Sequence, residues 1–317
     1  MVLRRASIAK HERLDGRRGG RACGAGAGNL RIELPGELMT RNEAVKVVRK
    51  KVNKAQARRE LASAPDGERV VHEGSIPFGA SLKIQRYRLD NGLEVLLLRD
   101  PAAPVVAYNT WFRVGSRHEK QGKTGLAHLL EHLMFNEFEG MKPGEFDRRL
   151  ERAGAETNAA TWVDWTYYYE NLPASQLPLV IGLEARRMGT LVLHEPQVTS
   201  EIEVVANERR YRVDDDVDGA VSEELYKTAF TTHGYGTPTI GWMDDIKGFV
   251  PQDCQTFYGT YYAPNNATLV VVGDFREIAT LRRIVKAYGG LKAAQIPLED
   301  ARPEPPQVQE RTLTMHK

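Results

Sequence analysis

Strand-type runs occupy Ile84 to Leu89 and Leu93 to Leu98, and Asn91-Gly92 between them is a strong signal for a tight hairpin. A third run, Val105 to Val114, stops at Gly115. Thr157 to Trp162 and Thr166 to Asn171 read as a further strand pair, and Ala267 to Val272 as a strand entered through the turn Pro264-Asn265-Asn266. Helical periodicity covers about Gly125 to Phe135, Glu145 to Arg152 (stopped by Gly154), Ser175 to Leu193, Thr199 to Val213, Ala220 to Phe230 and Arg276 to Tyr288. Strands fall in hairpins and helices in blocks. That grouping predicts an α+β fold, a largely antiparallel sheet with helices packed on one face, rather than a doubly wound one.

The flanks read differently. Residues 42–61 suit a short basic helix, Pro65-Asp66-Gly67 a linker, and the body begins near Ile84. Beyond Leu298 the chain is rich in Pro and Glu (Pro303, Pro305, Pro306), with the composition of a linker. The expected organisation is a basic, flexible arm over 1–75, a body over 76–295 and a linker over 296–317. Charge supports the first division. Residues 1–70 hold 17 Lys+Arg against 8 Asp+Glu, a net of +9, which leaves −7 for the remainder of a chain whose total is +2. No aromatic residues interleave with the basic ones, so the arm reads as a solvated extension and not as a nucleic-acid partner surface.

The 317 residues, 41% hydrophobic and 27% charged, are ordinary globular composition with enough chain for a sizeable core. Two cysteines, Cys23 and Cys254, exclude a disulfide framework or a Cys-based zinc site. No apolar run approaches a membrane span, and the first residues lack an apolar leader, which points to the cytoplasm.

The chemistry-bearing segment is His128-Leu129-Leu130-Glu131-His132. On a helix, positions i and i+4 share a face, so both imidazoles can reach one ion, and Glu131 projects to the same side. Neutral imidazoles leave the ion's charge largely intact, the ion acidifies a bound water, and a carboxylate can take the proton. Leu129, Leu130, Leu133 and Met134 surround the polar triplet with residues that want burial, which argues against two surface histidines. One more ligand is needed. Glu201 and Glu208 lie seven apart on a predicted helix and share a face, and either can serve.

With Glu208 standing 76 positions beyond His132, the pattern resembles the M16 metallopeptidase family (pitrilysin, insulinase, mitochondrial processing peptidase). Further stretches match its N-terminal half: Gly115-Ser116-Arg117, Gly122 to Ala127, Asn158-Ala159-Ala160-Thr161 with Asp164 and Thr166, Tyr235-Gly236, Ile240-Gly241, Asp245-Ile246, Phe257-Tyr258, Tyr261 to Thr268 and Gly273-Asp274. The likeness spans roughly residues 80–292. It implies half of an M16/LuxS-like metalloenzyme fold, with His128, His132 and Glu208 as ligands of one zinc ion per chain and Glu131 as general base. Glu201 would orient the site without binding the ion. Asn158, Ala159, Ala160 and Thr161 would offer a strand edge to an extended peptide, and Phe135 would pack beside the site. His233 reads as a loop residue.

The implied activity is a zinc-dependent metalloendopeptidase acting on peptides or unfolded proteins. Family members close a chamber with a second, homologous half that contributes an Arg/Tyr pair, and this sequence ends where that half begins. A second M16-like half or subunit is therefore an expected partner. The alternative is a non-catalytic or truncated assembly subunit.

Overall fold

The computed structural model describes residues 70–299 and 302–316. The arm over 1–69, with its expected basic helix, its Pro65-Asp66-Gly67 linker and Cys23, lies outside the described residues. Seven strands form one sheet: β1 (Val70–Phe78), β2 (Leu82–Leu89), β3 (Glu94–Arg99), β4 (Val105–Phe112), β5 (Glu156–Thr161), β6 (Thr166–Pro173) and β7 (Ala267–Gly273). Their order is β1-β2-β3-β7-β4-β6-β5. Only the β3–β7 pair is parallel, because β7 returns from the far end of the chain to fill the gap between two hairpin systems.

Eight α-helices occur among the described residues: α1 (Leu126–Leu133), α2 (Glu145–Arg152), α3 (Leu177–Thr190), α4 (Glu195–Arg209), α5 (Val217–Ala229), α6 (Met243–Lys247), α7 (Pro251–Tyr261) and α8 (Glu277–Tyr288). The sheet is two-faced with period two. Val106, Tyr108, Thr110 and Phe112 of β4, Thr166, Tyr168, Glu170 and Leu172 of β6, and Ala267, Leu269 and Val271 of β7 are buried. Helix α3 packs against β4 and β6, and α8 packs against α3. The alternate residues Trp111, Tyr167 and Tyr169 stack on the opposite, half-buried face. The α+β fold with helices on one face is as the sequence pattern predicts.

Three details differ from the sequence expectation. The sheet begins at Val70, ahead of both Ile84 and the boundary at 76. Strand β1 is an edge strand that contains Gly74 and Pro77 and shifts register between His72 and Gly74, so it lacks the apolar alternation of a central strand. Helices α6 and α7 were not anticipated. Helix α7 buries only Cys254 and Phe257 and contains Gly259, which leaves a thin periodic signal, although Pro251 opens it in the first turn where proline is tolerated. The expected linker carries no helix or strand over 302–316, yet it is fastened to the domain. The Glu304 carboxylate accepts from the Thr231, Thr232 and His233 amides at 2.8–2.9 Å, and Arg311 donates to the Thr228 carbonyl at 2.7 Å.

Candidate metal centre

Helix α1 is short, eight residues of mostly strong helix formers, and its N-terminus has no capping side chain of its own because Gly125 precedes it with φ +96°. A remote residue supplies the missing acceptor. Glu119 takes the Gly125 amide on Oε2 and the Ala127 amide on Oε1, both at 2.8 Å. Burial pushes its carboxyl pKa up to about 8, against the pull of those two amides. One residue earlier in the lead-in, Thr124 donates its amide (3.0 Å) and hydroxyl (2.6 Å) to Asp245, which ties the start of α1 to α6. The Gly125 and Gly241 backbones pass in contact, and a Cβ on either would overlap a carbonyl of the other segment.

From this anchored start α1 carries His128, Glu131 and His132, and α4 packs across it with Glu201 and Glu208. The two glutamates separate into different roles. Glu208 Oε2 lies 3.2 Å from His132 Nε2 and 3.6 Å from His128 Nε2. One ligand atom from each of His128, His132 and Glu208 falls within 4.8 Å of the others. Glu201 instead faces the back of the ring, with Oε1 2.9 Å from His132 Nδ1 and Oε2 accepting from Asn136 at 3.2 Å. The other oxygen of Glu208, Oε1, pairs with Arg212 Nε at 3.0 Å.

Electrostatics set the two imidazoles apart. Burial, then the neighbouring His132, lowers the pKa of His128 to about 3, so that ring is a neutral donor. Burial opposes charge on His132 too, but hydrogen bonds to Glu201 and Glu208 overcome it and raise the pKa to about 10. Glu208 is held at about 2, where burial is outweighed by the His132 bond and the adjacent imidazoles. A divalent cation suits the same donors: two nitrogens and one oxygen converge, a carboxylate backs one ring, and three protein ligands leave a position open.

Glu131 is half-buried on the same face. Burial raises its carboxyl pKa, and the Thr161 side chain opposes that rise. Thr161 ends β5, which among the described residues pairs with β6 along one side only and forms the sheet edge nearest α1. Within β5 the side chains alternate: Ala159 joins the core, and Asn158 is exposed, its Oδ1 accepting from the Ala159 amide at 2.9 Å. Ala160, between Ala159 and Thr161, is half-buried. The Phe135 ring lies 6.0–6.1 Å from the Phe146 and Tyr168 rings, Tyr168 being the β6 residue paired with Ala159. His233 accepts from the Tyr235 amide at 3.2 Å, as a loop residue does.

Glu119, Arg212 and the charge cluster behind Phe135 carry no sequence motif. There Arg187 is fully buried, with Nη2 2.6 Å from Glu184 and 3.4 Å from Glu170. Its guanidinium sits against Phe135, Phe146 and Tyr168, 4.5–5.2 Å from the three ring centroids. Thr110 donates to Glu184 at 3.3 Å, and burial with the neighbouring Glu184 drives the Glu170 carboxyl pKa well up. Its sequence signal was slight, Glu184 and Arg187 being one turn apart on an otherwise apolar helix face.

Comparison with known proteins adds the family context. The sequence model of the family described as Insulinase (Peptidase family M16) matches residues 94–242, and that of the Peptidase M16 inactive domain matches 249–317. The chain is 36% identical over 255 residues to the zinc protease PqqE of Helicobacter pylori, covering 76% of this chain and 57% of that protein. The crystal structure of a protease from Helicobacter pylori superposes with a TM-score of 0.66 at 36% identity, covering 71% of this chain and 54% of that one. The first half of the periplasmic protease PqqL from Escherichia coli superposes with a TM-score of 0.65 at 25% identity, covering 74% and 51%. The chain thus spans about half the length of these relatives. PqqL is a periplasmic protease, which lends no support to the cytoplasmic expectation. No helix among the described residues is long and apolar enough to cross a membrane.

Proposed function

The chain belongs to the M16 (insulinase) family of peptidases, and from that premise we propose that it is the zinc-binding part of a metalloendopeptidase that hydrolyses peptides or unfolded proteins. The observation that carries the reading is the convergence of Glu208 Oε2 on both imidazole Nε2 atoms, at 3.2 and 3.6 Å, with Glu201 behind His132. His128, His132 and Glu208 would hold one zinc ion per chain, which when bound polarises a carbonyl and acidifies a water. Glu131, half-buried and raised in pKa, takes the proton of the attacking water and returns it to the leaving amine. Glu201 fixes the His132 ring by accepting at Nδ1. The edge of β5, Asn158 to Thr161, which has no partner strand among the described residues, offers main-chain groups to an extended peptide, which gives affinity with little side-chain reading. Phe135, half-buried against the core, packs beside the site.

Because the chain spans about half of its relatives, the proposal includes a second M16-like half or subunit to enclose the substrate. The competing reading is a non-catalytic assembly subunit. The two are separated by cleavage of a fluorogenic peptide, with the chain alone and with an added M16-like half. Glu131→Gln should lower kcat on the order of 100-fold or more at unchanged zinc content, the loss typical of a missing general base. Equal rates for variant and wild type would remove the catalytic reading.

A further inference from the structure

The two oxygens of Glu208 are assigned to different partners. Oε2 faces the imidazole pair, and Oε1 lies 3.0 Å from Arg212 Nε. The pair is half-exposed on the Arg212 side and one helical turn apart, so the contact adds little to the stability of the fold. Its consequence falls on the carboxylate. A zinc-ligating carboxylate can bind through one oxygen or two, and a second oxygen would occupy the position that a catalytic site keeps open.

Arg212 does not reach Glu208 by chance of a loose side chain. Helix α4 ends at Arg209 and widens into a π-turn over Arg210–Asp214, closed by the Asp215 amide on the Arg210 carbonyl at 2.7 Å. Such single widened turns concentrate at functional sites. This one is pinned on both sides. Arg209 is buried and grips both oxygens of Glu223 (2.7 and 3.0 Å) and the Gly241 carbonyl (2.8 Å). On the other side α5 presses Gly219 against the Arg212 carbonyl so closely that a Cβ there would overlap it. Backbone packing therefore sets where Arg212 sits, and its half-exposed side chain then meets the inner carboxylate.

We propose that Arg212 is a positioning residue for the metal ligand: it holds Oε1 of Glu208, so that the carboxylate presents one oxygen to the ion and a coordination position stays open for water and substrate. The inference rests on the metal-binding reading of the preceding subsection, and the test separates the two. The full chain is loaded with cobalt(II), whose visible absorption is intense in four-coordinate sites and weaker in five-coordinate ones. Wild type should bind one equivalent with strong absorption. Arg212→Ala should keep the metal and the melting temperature but lose roughly half or more of the molar absorptivity as Glu208 turns both oxygens inward. Gly219→Ala, whose Cβ would push on the Arg212 carbonyl and displace the π-turn while leaving both side chains of the pair chemically intact, should reproduce the loss, and Arg212→Lys should restore most of the signal. A spectrum unchanged in Arg212→Ala at one bound equivalent overturns the positioning role while leaving the metal site intact. Wild type that binds no cobalt overturns the metal-site reading as well.

Discussion

Replacing Arg187 with Met removes the cation from a fully buried cluster and leaves Glu184 and Glu170 facing an apolar side chain, Glu184 having lost a partner at 2.6 Å. Breaking a buried ion pair on one side costs about 3–5 kcal/mol, because the remaining charge is left uncompensated. The guanidinium also packs against three rings at 4.5–5.2 Å, and the lost cation–π contact works in the same direction. For a domain of this size each kcal/mol shifts melting by roughly 2–4 °C, so the expected fall is about 6–20 °C. Thermal unfolding of the metal-free chain followed by circular dichroism reads it directly. The deficit should be smaller near about pH 5 than near about pH 8, since protonating a buried carboxylate removes the charge that the substitution strands. The triple change Arg187→Met, Glu184→Gln, Glu170→Gln should recover much of the loss, because an apolar or neutral replacement of a whole buried cluster is often tolerated. A melting temperature lowered by less than about 3 °C in Arg187→Met would refute the reasoning.

Glu201→Ala should weaken zinc binding on the order of 10- to 100-fold by freeing the His132 ring, measured by competition with a chromophoric chelator, and a change below about two-fold would count against the orienting role. Glu119 is an acid whose folded pKa, about 8, stands above its unfolded value, so the folded state binds the extra proton and wild-type stability falls as pH rises from about 4.5 to about 8. Glu119→Gln removes that slope. In urea titrations the variant should compare worst with wild type near about pH 5 and improve by roughly 1.4 kcal/mol per pH unit above it, and a gap independent of pH would contradict the assignment. Gly241→Ala places a Cβ against the Thr124 carbonyl at a residue with φ +87°, and should cost about 1–3 kcal/mol in the same assay.

How much of this was legible in the sequence follows from the range over which each feature is encoded. His128, Glu131 and His132 sit within five residues of one helix, so the 3.6-residue period alone places them on one side. The β2–β3 hairpin was legible for the same reason, its turn being written in Asn91-Gly92. The choice between Glu201 and Glu208 was not legible in the periodicity, since residues seven apart share a face, and came only from the family resemblance. Only the way α4 crosses α1 decides that Glu208 meets the Nε2 atoms and Glu201 the Nδ1. Strand β1 and helix α7 escaped because their burial is too slight to leave a periodic trace.

The least legible feature is how α1 is held. Eight residues make about two turns, too few for a helix to fix its own position, and Gly125 gives it no cap. The restraint comes from elsewhere in the chain. Glu119 grips the two amides at its start, and behind its exit the Phe135 ring rests on Arg187, which stands on α3. Neither residue carries a motif, and each is a single charge in an ordinary stretch of sequence. Their burial is the signal, and burial is a property of the assembled fold. A metal helix whose ligands are local but whose placement is remote explains why five consecutive residues announce the chemistry while the residues that aim it stay silent until the chain is folded.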